Sequence, residues 1–262
     1  MRAVSLVTAL TLLAPAAASA NARRFSYSHE SAVLPKGTRE LEFWTTNRIG
    51  RDTHYSRFDN RLEVEYGLTD QLMAAWYVNT RAVSAEDPTS GAVAKSFSFE
   101  GVSAELKYKL ADPMADAVGL ALYGEVTYGP GEVALESKLI LDKRVGQVIY
   151  AGNLVAEAEF GGIGTKVEKV YEGKLTGGAA YFVTDRLAIG AELELEAEVE
   201  EGEFEGAGLF GGPQVSWSGD ALWLVLSVLP QIGHFGGDHD GFKRDLVGSE
   251  SVHARLLVGS DF

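Results

Sequence analysis

Residues 187–198 read Leu187-Ala188-Ile189-Gly190-Ala191-Glu192-Leu193-Glu194-Leu195-Glu196-Ala197-Glu198. Leu187, Ile189, Ala191, Leu193 and Leu195 alternate with Glu192, Glu194, Glu196 and Glu198. A period of two places successive side chains on opposite faces of a β-strand, so this strand has one apolar and one ionised face. The same pattern recurs upstream. Phe58, Leu62, Val64 and Tyr66, with Asn60 as an exception, oppose Arg57, Asp59, Arg61, Glu63 and Glu65. Val102, Ala104, Leu106 and Tyr108 oppose Ser103, Glu105, Lys107 and Lys109.

Extended along the chain, the alternation predicts strands near 38–48, 55–66, 71–82, 95–110, 117–128, 132–142, 147–160, 166–183, 186–199, 206–217, 221–232 and 251–261. Their connections alternate in kind. Short ones fall at 67–70, 111–116, 143–146, 184–185 and 218–220; longer or glycine-rich polar ones fall at 49–54, 85–94, 129–131, 161–165, 200–205 and 233–250, with 129–131 and 161–165 shorter than the pattern asks. Short turns at one end and longer loops at the other are the layout of an all-β transmembrane antiparallel up-and-down barrel, here of about twelve strands. An even number puts both termini on the periplasmic side, and ten or fourteen strands fit the same pattern. The competing architecture is a secreted soluble sandwich, whose strands also alternate.

The expected domains are a signal peptide, 1–20, and a barrel, 21–262. Arg2, the apolar run Ala3–Leu13 and the small residues Ala16–Ala20 have the form of a secretory signal, with cleavage after Ala20. No later stretch approaches the roughly 20 apolar residues of a membrane-spanning helix. Without that segment the chain carries 22 Lys or Arg against 37 Asp or Glu, Arg2 being the only charge removed. So acidic a chain is not expected to bind nucleic acid, which needs clustered cations. It has no cysteine, hence no disulfide and no thiolate-bound metal.

Tyr66, Tyr108, Tyr150, Tyr181 and Trp217 each fall on the apolar phase of a strand, close to a short turn. That is the place of an aromatic girdle at one membrane interface. The chain closes with Val252, Ala254, Leu256, Val258 and Phe262 in one phase, with Ser260 out of character. A last strand ending in an aromatic resembles the C-terminal strand of outer-membrane proteins, which the barrel-assembly machinery reads. The expected location is the cell outer membrane, with its lipids and that machinery, engaged through Phe262, as partners.

The ionised phase supplies the candidate lumen lining: Arg57, Asp59, Arg61, Glu63, Glu65, Arg81, Glu105, Lys107, Glu157, Glu159, Glu192, Glu194, Glu196 and Glu198. Glu157, Glu159 and the 192–198 glutamates form an expected acidic wall, and Arg57, Arg61 and Arg81 a basic one. A water-filled pore with such walls would select small polar solutes by charge. The alternative is mutual neutralisation in a blocked, structural lumen. A lipid hydrolase ranks below both, because no serine sits in a nucleophile motif and only His253 falls in a predicted strand, pointing inward. No cofactor or catalytic residue is expected. Gly236-Gly237-Asp238-His239-Asp240-Gly241 carries three potential cation ligands, but adjacent residues cannot all face one ion, so no metal site is assigned.

Gly211-Gly212-Pro213-Gln214-Val215-Ser216-Trp217, then Leu222-Trp223-Leu224 and Leu226-Ser227-Val228-Leu229-Pro230-Gln231, resembles a hairpin of uncharacterised, transporter-like proteobacterial outer-membrane barrels, similar to those encoded near aromatic-degradation pathways. The resemblance implies a barrel and a transport role, and carries no functional residues over. Pro213 and Pro230 are expected at bulges or strand ends.

Overall fold

The computed structural model describes residues 22–87, 89–162, 167–237 and 239–262. The strands are β1 (Arg39–Ile49), β2 (Tyr55–Gly67), β3 (Leu72–Glu86), β4 (Val93–Ala111), β5 (Gly119–Gly129), β6 (Glu132–Val145), β7 (Val148–Gly161), β8 (Glu168–Phe182), β9 (Leu187–Glu200), β10 (Glu203–Ser218), β11 (Leu222–Gly236), β12 (His239–Lys243) and β13 (Val252–Asp261). Each strand from β1 to β11 pairs antiparallel with the next, β11 pairs with β13, and β13 returns to β1 across ten register positions from Glu40↔Asp261 to Ile49↔Val252. The result is a closed antiparallel barrel of twelve strands. Closure leaves no sheet edge along the wall, which is the condition for a sheet in hydrocarbon.

The barrel is inside out relative to a soluble protein. Leu62, Trp76, Leu106, Leu154, Leu175 and Leu193 are each at least half exposed, while Glu40, Glu42, Glu63 and Glu192 are at most 1 % exposed. A soluble sandwich would bury the first set and hydrate the second, so that alternative is set aside. Thr45 and Asn60, two polar residues on the outer phase, pair across β1 and β2 and share a 2.8 Å hydrogen bond. Tyr66, Tyr108, Tyr150, Tyr181 and Trp217 lie at strand ends next to the short turns, at the turn end of the barrel.

Several features depart from the alternation. The long connection after β11 contains β12, which extends β11 as a ribbon at the loop end. β11 reaches Gly236, so His234 is a strand residue. β4 runs for 19 residues, and β3 and β4 project past β5, whose pairing with β4 stops at Val102↔Tyr128. A bulge marks that point: Asn79 pairs with Gly101 and Thr80 with Phe99, leaving Glu100 extra. Gly101 has φ +138°, and a Cβ there would meet the carbonyl of Tyr128. The bulge lets Glu100 bond Arg81 at 2.7 Å and leaves Phe97 and Phe99 exposed. Ladder pairing of β10 with β11 is interrupted between Phe210 and Gln214, beside Pro213 and Pro230. The predicted signal segment 1–20 and positions 163–165 of one predicted loop lie outside the described residues, as does Asp238 of the glycine-rich 236–241 loop.

One element was not expected at all. The chain before β1, residues 22–35, is not a tail but lies inside the barrel, with Phe25, Ser26, Ser28 and Ser31 fully buried. It contacts Ser218 and the Phe182 ring near the turn end through Arg24, reaches Glu192 and Arg255 with Ser26–Ser28, and returns to Pro35 beside Gly67. Between the water-filled pore and the blocked lumen that the sequence left as alternatives, this segment fills the lumen toward the turn end.

Candidate functional site

The segment is held by inward side chains of the wall. Glu192 accepts the backbone N–H groups of Ser26 (3.0 Å), Tyr27 (2.8 Å) and Ser28 (3.0 Å), together with the hydroxyls of Ser26 and Ser227. Three successive donors converging on one carboxylate form a nest, and the charge strengthens each bond. His29 N–H donates to Asn153 Oδ1 at 2.6 Å and Asn153 Nδ2 donates back to the His29 carbonyl at 2.9 Å. Asp142 accepts the Ser31 N–H at 3.1 Å, and Arg255 donates to the Ser26 carbonyl at 3.1 Å. Apolar seats complete the fit. Phe25 packs on Ala151, Ala180, Phe182 and Ala188, over Gly178, where any Cβ would strike its ring. Tyr27 packs on Phe210 and Leu229, with the Arg255 guanidinium 4.0 Å over its ring.

Above this floor, toward the loop end, is a cavity of about 530 Å³ lined by seven cationic and nine acidic side chains. Near balance in number makes their placement decisive. Asp59 is surrounded by Arg57 (2.8 Å), Arg81 (2.8 Å) and Arg48 (3.5 Å), which leaves the β1–β3 wall with surplus positive charge. Lys174 is shared among Glu172, Glu196 (3.2 Å) and Glu157 (3.8 Å), and Glu159 and Glu194 also line the cavity, leaving the β7–β9 side with surplus negative charge. Arg48 reaches Glu196 at 3.9 Å and Arg61 reaches Glu125 at 3.5 Å, so ion pairs also cross between non-adjacent strands. In a partly desolvated space such facing charges orient a dipolar guest.

The sequence-derived candidates thus divide. Arg57, Asp59, Arg61, Arg81, Glu157, Glu159 and Glu194 line the cavity; Glu196 stands beside it, paired to Lys174; Glu198 follows on the same phase of β9. Glu192 is corrected: it lines no channel, because the segment's backbone occupies both its oxygens. Glu63, Glu65, Glu105 and Lys107 line a separate cavity of about 210 Å³ beneath the floor, against Ala22 and Arg23. Residues missed from the sequence are Ser26–Ser31, Asn153, Asp142 and Arg255, and also Glu40 and Glu42, which the alternation of 40–43 with Leu41 and Phe43 could have shown.

At the loop end, burial would raise the Glu250 carboxyl, but the His253 ring, its Nε2 3.5 Å away, and the donor Arg51, with Arg48 beyond, outweigh it and hold the group at about 2. Arg51 bonds Glu250 at 2.6 Å, and Asp52 N–H donates to the Leu246 carbonyl, clipping the last long loop onto the β1–β2 loop. His253 stacks on Phe210 at 3.9 Å inside the barrel. His54 Nε2 lies 3.0 Å from Ser84 Oγ near the loop end, but no Asn or Asp is bonded to the other His54 nitrogen among the described residues.

The profile of a family of unknown function (DUF6662) matches residues 17–262. No curated protein sequence matches the chain. Among solved structures it is similar to the COG4313 outer membrane channel from Pseudomonas putida F1 (14 % identity, TM-score 0.59, covering 88 % of this chain and 98 % of that one). It is also similar to the β domain of the Bordetella autotransporter BrkA (11 %, 0.56, 87 % and 100 %) and to the NanC porin (8 %, 0.53, 85 % and 98 %). At these identities the likeness is one of fold, an outer-membrane barrel shared by a channel, a porin and an autotransporter β domain alike.

Proposed function

We propose that this chain, which belongs to the DUF6662 family of unknown function, is a gated outer-membrane channel for small charged or zwitterionic solutes. In this reading the loop end faces outward, the turn end faces the periplasm, residues 1–20 direct export, and the strand ending at Phe262 engages the assembly machinery. The observation that carries it is the charge-segregated cavity above a floor made of the chain's own N-terminal segment. A permanently sealed structural barrel has no need of an ion-lined cavity at its outer end. A solute with ionic groups, an aromatic acid for example, exploits the two walls, whereas a neutral hydrocarbon leaves their charges desolvated and unpaired.

The test is single-channel current in planar bilayers for the intact protein and for a variant lacking residues 22–34, each checked for heat-modifiable migration to confirm a closed barrel. The expected result is little or intermittent current from the intact protein and steady conductance from the variant. Silence from both, with barrels intact, overturns the channel reading in favour of a structural barrel.

A further inference from the structure

The cavity beneath the floor borders a group of carboxyls that conduction does not use. Glu40 and Glu42 of β1 stand directly opposite Glu65 and Glu63 of β2, and Asp261 of β13 stands opposite Glu40 on its other side. The four glutamates are at most 6 % exposed. One oxygen from each of Glu40, Glu42 and Glu65 lies within 4.8 Å of the other two. Two oxygens sharing one calcium ion at about 2.4 Å are at most about 4.8 Å apart, so the trio meets the geometric condition as it stands.

Charge and hydrogen bonding point the same way. Like charges directly opposite each other in a sheet repel, and buried charge without a partner is costly. Among the described residues, neither oxygen of Glu40 has a hydrogen-bond partner. Glu63, outside the trio and 1 % exposed, faces Glu42 in register, and its Oε2 has no hydrogen-bond partner among the described residues. Of the nearby cations, Lys107 acts on Glu65 and Glu105 together, Arg61 is paired to Glu125, and Arg23 acts on Glu65 while lying over the Trp44 ring at 4.6 Å. Trp44 Nε1 donates to Glu42 at 2.6 Å, which places an indole ring against the group.

We infer that Glu40, Glu42 and Glu65, with Glu63 beside them, bind a calcium-type divalent cation inside the turn end of the barrel. An all-carboxylate set selects a hard cation, and several carboxylates able to turn bidentate suit the higher coordination number of calcium over magnesium. The cavity of about 210 Å³ lined by Glu63, Glu65, Ala22 and Arg23 borders the group. The site does not depend on whether the barrel conducts.

The test is terbium luminescence of the full chain folded in detergent after chelation, exciting through Trp44, with calorimetric calcium titration in parallel. The expected result is one saturable site per chain, sensitised terbium emission displaced by calcium and not by potassium, and at least a tenfold loss of affinity in the Glu40→Gln, Glu42→Gln double variant. The Trp44→Phe, Trp223→Phe variant, which removes both indoles packed beside the group, is expected to lose the sensitised emission while retaining calcium stoichiometry, which locates the ion even if the glutamate double variant does not fold. Absence of a saturable site in the intact barrel, or equal binding by the folded double variant, overturns the inference.

Discussion

Asn153 and His29 exchange two hydrogen bonds, one in each direction, joining the middle of β7 to the backbone of a segment 124 residues earlier in the chain. Replacing Asn153 by Leu leaves a buried N–H and a buried carbonyl unsatisfied, at about 1–3 kcal/mol each. The expected outcome is an intact barrel whose residues 25–31 exchange amide hydrogens faster. Unchanged protection of those amides by mass spectrometry would show that Asn153 does not hold the segment.

Glu192 gives a sharper test, because both its oxygens accept. In Glu192→Gln one oxygen becomes an NH2 group facing donors, so even an isosteric change breaks the nest. Hydrogen bonds to a charged group contribute roughly 1.5–3 kcal/mol each. Open probability in planar bilayers should rise severalfold; wild-type gating in this variant would contradict the role assigned to the nest.

The two walls should be separable in the variant lacking residues 22–34. Glu157→Gln with Glu159→Gln is expected to move the reversal potential toward anion preference, and Arg57→Gln with Arg81→Gln toward cation preference. Reversal potentials under a salt gradient read both, and shifts of the same sign would refute a transverse field.

Glu250 makes the loop clip sensitive to acid. Its carboxyl is depressed to about 2 in the folded protein, against an ordinary value of about 4.3. Its contribution is therefore complete above about pH 4.3 and is lost as the pH falls through about 2. Loop exchange should quicken over that interval in the native protein, and Glu250→Gln should abolish the pH dependence; an identical profile in both would exclude this carboxyl.

Leu193 lies midway along β9 and is half exposed on the outer face. Leu193→Arg is expected to cost about 2–4 kcal/mol of folding free energy in lipid vesicles. A cost near zero would mean that this face does not meet hydrocarbon.

The strands, their inward and outward phases and the placement of the five aromatics were legible because a period of two is local, visible in Leu193 and Glu194 without reference to anything distant. Glu40 and Glu42 were equally legible, yet isolated acids on one strand reveal nothing until Glu65, Glu63 and Asp261 come into register. The N-terminal segment was not legible. It has no regular structure, and its anchors lie far along the chain, 111 residues away at Asp142 and 166 at Glu192. The bulge at Glu100 escaped for a similar reason, since only the paired partner Asn79 defines it.

The wall residues that grip residues 22–31 are spread over β6, β7, β9 and β13, and β13 is also the strand that meets β1. The first piece of the chain thus finds its full set of partners only when the last strand arrives. Seating the segment thus waits on closure of the ring, which makes it a late event in biogenesis.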